Sequence, residues 1–142
     1  MSLLNSLGVA GSGMRAQGLR LNITASNMAN AETISSSTDQ TYRAREPVFS
    51  AMYDESRKQP HSVGVEVKGV VESQAPLRKE YRPNHPMANE EGYIFLPNVN
   101  VIEEMANMIS AQRSYQSNVE VFNASKQMLM RTLTMGHKEA RS

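Results

Sequence analysis

Residues that could carry out catalysis or hold a metal ion are few and scattered in this chain of 142 residues. The chain has no cysteine, which excludes disulfides, thiolate nucleophiles and cysteine-ligated metals. None of the three histidines, His61, His85 and His137, has a second histidine or a carboxylate at the helical spacing of a metal site. We therefore interpret them as surface residues and predict no metal and no cofactor.

Carboxylates, hydroxyls and glycines do not form a catalytic or phosphate-binding pattern either. A Ser-His-Asp set would need a histidine beside Asp39 or Asp54, and no Gly-x-Ser-x-Gly segment is present to position the nucleophile. The glutamate pairs at 90–91 and 103–104 are typical of a solvated turn and a solvated helix start. The glycine-rich segment 8–13 lacks the preceding strand and the spacing of a phosphate-binding loop. We predict that the chain is not an enzyme.

Charge and hydropathy argue against two further classes of protein. Fifteen basic and fourteen acidic residues leave a net charge of +1, which is too small for a nucleic-acid binder that depends on phosphate contacts. The sequence contains no apolar run of about 18 residues, so we predict no transmembrane segment. The N-terminus lacks the basic and continuous apolar regions of a signal peptide, so we expect any export to use another route.

Two long helices at the ends of the chain are the elements that must position its side chains. Residues 2–30 are predicted to be helical with Ser2 as the N-cap, although four glycines weaken this helix. A second helix is predicted from its N-cap, Asn100, to about Met135, with Gly136 as the residue that ends it. We expect an α+β fold in which these helices pack as an antiparallel coiled-coil-like pair.

The middle of the chain is predicted to be a loop followed by a small β-rich region. Residues 31–41 have loop composition, whereas 63–71 alternate valine with polar residues as a half-buried strand does. Shorter strands are expected at 77–81 and 93–96. Six aromatic residues of this region are expected to form its core: Tyr42, Phe49, Tyr53, Tyr81, Tyr93 and Phe95.

These elements divide the chain into three predicted segments. Residues 1–31 form the N-terminal helix and residues 32–98 form the loop with the β-rich middle. Residues 99–142 form the C-terminal helix and a short tail.

Both helices repeat apolar residues every seven positions, which places each row on one helix face. The N-terminal row is Leu7, Met14, Leu21 and Met28, and the C-terminal row is Val101, Met108, Tyr115, Phe122 and Leu129, with Met105, Val119 and Leu133 interleaved. We predict that these apolar rows form interfaces, either between the two helices or with other copies. Eight of the ten methionines lie in the terminal segments, which favours packing against several different neighbours.

Four asparagines also lie in the helices where few charges surround them. They are Asn27, Asn30, Asn118 and Asn123. Solvent-facing positions are one interpretation. We favour interface positions, because buried amides can fix the register and the number of partners at some cost in stability.

Motifs at both ends of the chain are similar to those of a known family. Residues 12–17 and 25–31 resemble the N-terminal signature of the flagellar rod, hook and hook-filament axial proteins. Residues 97–100, 113–118 and 133–136 resemble the C-terminal segment of the proximal rod members of that family. Short stretches of the middle are also similar to proximal rod proteins, so the resemblance covers nearly the whole chain.

The resemblance implies a structural subunit of the proximal rod of the bacterial flagellar basal body. Such a subunit polymerises with copies of itself and with other rod proteins into a hollow drive shaft that transmits torque and passes exported subunits. The resemblance also implies type III export without a cleaved signal peptide, a rod that spans the periplasm, and ring or export-gate components as further candidate partners. A soluble coiled-coil adaptor or chaperone-like binding module is the alternative function.

The predicted assembly interface combines the apolar rows with polar residues of the helices, including positions at which the resemblance implies packing roles. Its residues are Leu7, Met14, Leu21, Asn27, Met28, Asn30, Val101, Met105, Met108, Arg113, Tyr115, Asn118, Val119, Phe122, Leu129 and Leu133.

Overall fold

The computed structural model of the chain describes residues 3–53 and 62–139. Two helices flank four strands in the order α1 (Leu3–Asn30), β1 (Arg45–Tyr53), β2 (Ser62–Glu72), β3 (Arg78–Tyr81), β4 (Tyr93–Leu96) and α2 (Val101–Glu139). The predicted α+β class is therefore confirmed. The predictions for Ser2, Asp54, His61 and the last three residues of the tail lie outside the described residues.

The chain divides into two compact units. Unit 1 comprises Met1–Gly18, Phe49–Lys68 and Ala111–Ser142, and unit 2 comprises Leu19–Val48 and Gly69–Ser110. Both helices and both long strands contribute residues to each unit.

The N-terminal helix is continuous over 28 residues in spite of its glycines. A methyl group on Gly8, Gly11 or Gly18 would have no non-local atom within 4 Å. At Gly13, by contrast, a Cβ atom would lie 2.8 Å from Oδ1 of Asn118 in α2. Glycine at position 13 therefore allows the two helices of unit 1 to approach closely, whereas the other three glycines only weaken the helix.

The start of α2 is as predicted and its end is not. Oδ1 of Asn100 accepts hydrogen bonds from the backbone N–H groups of Ile102 at 3.1 Å and Glu103 at 3.4 Å, which confirms Asn100 as the N-cap. The prediction that the helix ends before Gly136 is wrong, since α2 continues to Glu139. Gly136 does not adopt the positive φ of a C-terminal cap, so it remains an ordinary helical residue.

The strands form two two-stranded sheets, β1–β2 and β3–β4. In the antiparallel β3–β4 pair, Arg78 lies opposite Leu96 and Tyr81 lies opposite Tyr93. Gly92 closes the preceding turn at φ 81°, a conformation that favours glycine. The predicted strands at 63–71, 77–81 and 93–96 are confirmed to within one residue at each end.

One strand, β1, was not predicted. Its sequence, Arg-Glu-Pro-Val-Phe-Ser-Ala-Met-Tyr, has a proline in the third position and no clean alternation of apolar and polar residues. The segment is a strand because it pairs with β2, although its own sequence lacks the alternation that predicts one.

Aliphatic side chains rather than aromatic rings form the core of unit 2, where Ile94 and Leu96 are buried. Ala31, Ala44 and Val99 pack together as a buried cluster with Tyr42 against it. The predicted aromatic core is wrong in part, because the side chains of Tyr53 and Tyr81 are 61% and 64% exposed. A two-stranded sheet has no second layer to cover the rings on its outer face.

Candidate assembly interface

Polar side chains join α1 to α2 in unit 2. Nη2 of Arg20 donates a hydrogen bond to Oδ1 of Asn107 at 2.8 Å. Glu104, nearer the start of α2, accepts hydrogen bonds from Asn27 and Thr24, nearer the end of α1. Residues later in α1 thus contact residues earlier in α2. The two helices of this unit therefore run antiparallel, as predicted.

The buried face of α2 is a stripe of small and polar side chains. Glu104, Ala111 and Ser125 are 9%, 0% and 3% exposed, and their numbers differ by multiples of seven. Asn118 continues the same seven-residue spacing and is half-buried. Small side chains let helix backbones approach closely. The rest of the chain therefore covers this stripe of small and polar side chains more completely than it covers the predicted apolar row of α2.

The predicted apolar rows lie outside that covered stripe. All four residues of the N-terminal row are half-buried, as are Met108, Val119, Phe122 and Leu129 of α2. Tyr115, Val101, Met105 and Leu133 are exposed, with exposed fractions of 38%, 39%, 50% and 59%. None of the rows is buried within the chain, so each retains apolar surface that a neighbouring molecule can cover.

The predicted interface residues Asn27, Asn30, Arg113 and Asn118, together with Asn123, have three different environments. Asn27 is 1% exposed, and its side chain hydrogen-bonds Tyr42 and Arg45 within unit 2. Asn30 and Asn118 are half-buried, and each donates a hydrogen bond at 2.8 Å to a carbonyl one turn back in its own helix. Arg113 and Asn123 are exposed.

Further exposed apolar residues were missed by the sequence analysis. Ile102 and Ile109 are 80% and 53% exposed and lie seven positions apart, with Met105 between them on the same face. Val121, Met128 and Met135 repeat the spacing of seven farther along α2 and are 51%, 49% and 71% exposed. The signal was present, since both sets follow the same repeat as the predicted rows.

Asn27 is the centre of a buried hydrogen-bond cluster in unit 2. Its Oδ1 accepts hydrogen bonds from the hydroxyl of Tyr42 at 2.8 Å and from the backbone N–H of Arg45 at 3.0 Å. Its Nδ2 donates to the carbonyl oxygen of Arg45 at 2.9 Å, and the amide also bonds Glu104. The cluster connects the end of α1, the segment before β1 and the start of α2.

Glu104 lies beneath this cluster, and the prediction of a solvated carboxylate at this position is wrong. Burial raises the pKa of Glu104 above its ordinary value of 4.5, and the hydrogen bonds from Asn27 and Thr24 oppose part of that rise. The nearby charges of Glu103 and Glu46 raise the pKa further. An acidic residue in the first turn of a helix interacts favourably with the helix dipole, and here the packing of α1 covers that residue.

A second set of hydrogen bonds holds the segment between β4 and α2. Oδ1 of Asn98 accepts from the backbone N–H of Ala44 at 2.8 Å, and its Nδ2 donates to the carbonyl of Ala75 at 2.9 Å. The Arg78 guanidinium donates to the carbonyl oxygens of Ala31 at 2.8 Å and Pro97 at 3.2 Å. These contacts fix where the chain leaves α1 and where it enters α2.

In unit 1, Ser12 attaches strand β2 to α1. Oγ of Ser12 donates to the carbonyl oxygen of Val9 at 2.7 Å and accepts from the backbone N–H of Val65 at 3.0 Å. Gly64, with φ 150°, lies so close that a Cβ atom there would be 2.5 Å from Oγ of Ser12. Strand and helix therefore meet with no side chain of residue 64 between them.

Groups suited to catalysis do not converge in the described part of the chain. Residues 3–53 and 62–139 contain no cluster of three or more histidine, aspartate or glutamate side chains that could hold a metal ion. Nδ1 of His85 accepts a hydrogen bond from the backbone N–H of Met87 at 3.1 Å, which is a turn contact. Among the helices described, none is long and apolar enough to cross a membrane.

Comparison with known proteins connects both helices to flagellar proteins. A family model described as flagella basal body rod protein matches residues 7–34, which include most of α1. A second model, described as flagellar basal body rod FlgEFG protein C-terminal, matches residues 90–135, which include β4 and most of α2. The two matched ranges contain the predicted apolar rows and the contacts between the helices described above.

Curated relatives match the chain over nearly its whole length. The chain is 46% identical over 136 residues to the flagellar basal-body rod protein FlgC of Salmonella typhimurium, covering 96% of this chain and 99% of that protein. It is 43% identical to the FlgC protein of Buchnera aphidicola from Acyrthosiphon pisum, covering 95% and 98% of the two chains. With FlgC of Aquifex aeolicus it shares 39% identity, covering 93% and 96%. The predicted resemblance to proximal rod proteins is confirmed to this extent.

Proposed function

This chain belongs to the FlgC family of flagellar basal-body rod proteins and is a structural subunit of the rod, and we propose that its place is in the proximal rod, where it transmits torque. In this role it polymerises with copies of itself and with other rod proteins around a channel for exported subunits. Ring or export-gate components are further candidate partners.

One observation carries this proposal. The chain buries the small and polar stripe of α2, whereas the residues of the apolar rows keep surface that is accessible to solvent. A helix pair that folded for its own sake would bury the apolar rows between the helices. Here Ala111 is fully buried, whereas Tyr115, one turn farther along α2, is 38% exposed. Apolar surface arranged in long stripes on a protein of this size favours interfaces with neighbouring subunits. Interfaces between different patches of successive subunits generate a tube or filament.

The predicted segments acquire roles in this proposal. The helices of segments 1–31 and 99–142 form the inner wall of the tube, and the β-rich segment 32–98 lies outside and braces neighbours. The assembly residues are those of the predicted interface, with Ile102 and Ile109 added, while Asn27 holds the subunit itself together. The function is mechanical and requires no catalysis. The subunit is exported by the type III apparatus without a cleaved signal, and the rod spans the periplasm.

The experiment is complementation of a strain that lacks the gene for this protein. Tyr115→Asp places a charge in the apolar row at a side chain that is 38% exposed, so we expect a folded protein that builds no rod and restores no swimming. Ser117→Asp is the matched control, since residue 117 is also exposed and lies in a seven-residue row, with Ser110 and Ala124, that contains no large apolar side chain. Swimming and isolated basal bodies are the measurements. Phe122→Asp tests the next position of the row.

Two results would contradict the proposal. Normal swimming with Tyr115→Asp would show that this row is not an assembly interface. A compact oligomer of fixed size, measured by light scattering on the full chain, would favour the coiled-coil adaptor instead.

A further inference from the structure

The exposed methionines of α2 fall into two groups by their surroundings. Met105, Met128 and Met135 are 50%, 49% and 71% exposed and lie within apolar stripes of the helix. Met105 shares its stripe with Ile102 and Ile109, and the other two share theirs with Val121. Met130 is as exposed, at 55%, but it lines a recess with polar and charged residues that include Lys126 and Arg131.

A thioether in an exposed apolar stripe is chemically the most reactive group of that stripe. A lone pair of the sulfur attacks one oxygen of hydrogen peroxide, the S–O bond forms as the O–O bond breaks, and the other oxygen leaves as water. The sulfur is oxidised by two electrons and the peroxide is reduced by two. The product, methionine sulfoxide, is polar, and methionine sulfoxide reductases reverse the reaction.

We propose that Met105, Met128 and Met135 are oxidation sites at which peroxide makes the subunit unable to assemble. This effect on assembly rests on the proposed function. An apolar stripe is buried when the neighbouring subunit packs on it, and a sulfoxide oxygen buried there has no donor. Leaving such an acceptor unpaired weakens an interface by about tenfold or more for each position. The folded monomer is unaffected, because all three side chains face outward before assembly.

The first test measures which methionines react. Purified full-length protein is treated with hydrogen peroxide, and peptide mapping by mass spectrometry follows each methionine with time. We expect Met105, Met128 and Met135 to react several-fold faster than the half-buried Met14 and Met108. Equal rates at all of these positions would overturn the assignment of the sites.

The second test measures whether oxidation at these sites matters for assembly. Glutamine is a polar, non-oxidisable substitute for the sulfoxide, so M105Q/M128Q/M135Q is expected to fold but to lower the yield of isolated basal bodies at least about tenfold. M105L/M128L/M135L is expected to assemble and to swim normally. When both proteins are expressed in the presence of peroxide, it is also expected to yield more newly built basal bodies than the wild type.

The matched control is M87Q/M130Q, which changes two methionines that are exposed outside the stripes. We expect it to assemble like the wild type. Wild-type assembly by the triple glutamine variant would overturn the inference and leave the proposed function intact. Failure of the wild-type chain itself to restore rods would instead overturn the proposed function. Thermal unfolding of each variant separates loss of assembly from loss of folding.

Discussion

Asn27 in α1 accepts a hydrogen bond from the Tyr42 hydroxyl at 2.8 Å, inside the fold and 1% exposed. The same amide holds both backbone groups of Arg45 and bonds Glu104. One side chain therefore ties the end of the first helix to the start of β1 and to the second helix. The rigidity required of a rod subunit begins with such contacts within the monomer.

Replacement of Asn27 is expected to destabilise the subunit. Asn27→Ala leaves the Tyr42 hydroxyl and the backbone N–H and carbonyl of Arg45 without partners in a buried site, which costs about 3 kcal/mol or more of unfolding free energy. Urea denaturation of the purified protein measures it. Asn30→Ala is the control, since the Asn30 side chain bonds only the Ser26 carbonyl in the part of the chain that the structure describes, and a loss below about 0.5 kcal/mol is expected. Equal losses in the two variants would contradict a central role for Asn27.

The glycines of α1 are expected to respond in opposite directions to alanine. Gly18→Ala adds a methyl group where no non-local atom lies within 4 Å, so the helix gains about 0.5 to 1 kcal/mol. Gly13→Ala forces the Asn118 amide away from α1 and from its bond to the Ser114 carbonyl, a loss of about 1 kcal/mol.

Thermal unfolding of the two glycine variants measures both effects. Adding Asn118→Ala to Gly13→Ala removes the clash and is expected to restore most of the lost stability. If Gly13→Ala proved as stabilising as Gly18→Ala, the close approach of the helices at Asn118 would be excluded.

Glu104 is expected to make the stability of the subunit depend on pH. Its pKa is raised by burial, so between pH 4.5 and its higher folded value the native state binds more protons than the unfolded state. The free energy of unfolding that Glu104 contributes therefore falls as the pH rises through that window and reaches its lowest value above the folded pKa. Acidification from neutral pH towards 4.5 therefore increases the free energy of unfolding that Glu104 contributes.

Glu104→Gln is expected to remove this component, making the variant more stable than the wild type at neutral pH and less dependent on pH. Urea denaturation at a series of pH values measures it. Glu120→Gln removes the same charge from an exposed position of α2 that is not among the causes of the raised Glu104 pKa, and it serves as the control. If Glu104→Gln kept the full pH dependence of the wild type, that dependence would come from other groups.

Ile109→Asp is expected to block assembly without loss of stability. Ile109 is 53% exposed, so the substitution removes little packing from the monomer, whereas it places a charge in the stripe that runs from Ile102. Swimming assays and basal-body isolation test the loss, and thermal unfolding tests the fold. Ser110→Asp, on an exposed neighbouring position outside the stripe, should behave as the wild type. Rods built by Ile109→Asp at normal yield would exclude this stripe from the interface.

The sequence by itself determined the elements whose signals are local. Apolar repeats identified both helices, alternation identified β2, and the asparagine before Val101 identified the helix start. The absence of cysteine and the isolation of the histidines were also visible in the sequence. These features depend on residues within a turn or a strand of each other, so no knowledge of distant contacts was needed.

Only the tertiary structure decided which helix face the chain covers for itself. A seven-residue period defines several parallel stripes on one helix, and it does not say which stripe a particular partner buries. Glu104, Ala111 and Ser125 are covered because small side chains and paired polar groups let the chain pack closely on them. Close packing of α1 on α2 also buries Asn27, which was predicted to lie at an interface, and Glu104, which was predicted to face solvent. The apolar rows keep exposed surface because smaller and hydrogen-bonded side chains, which pack more closely, lie on the covered face of α2.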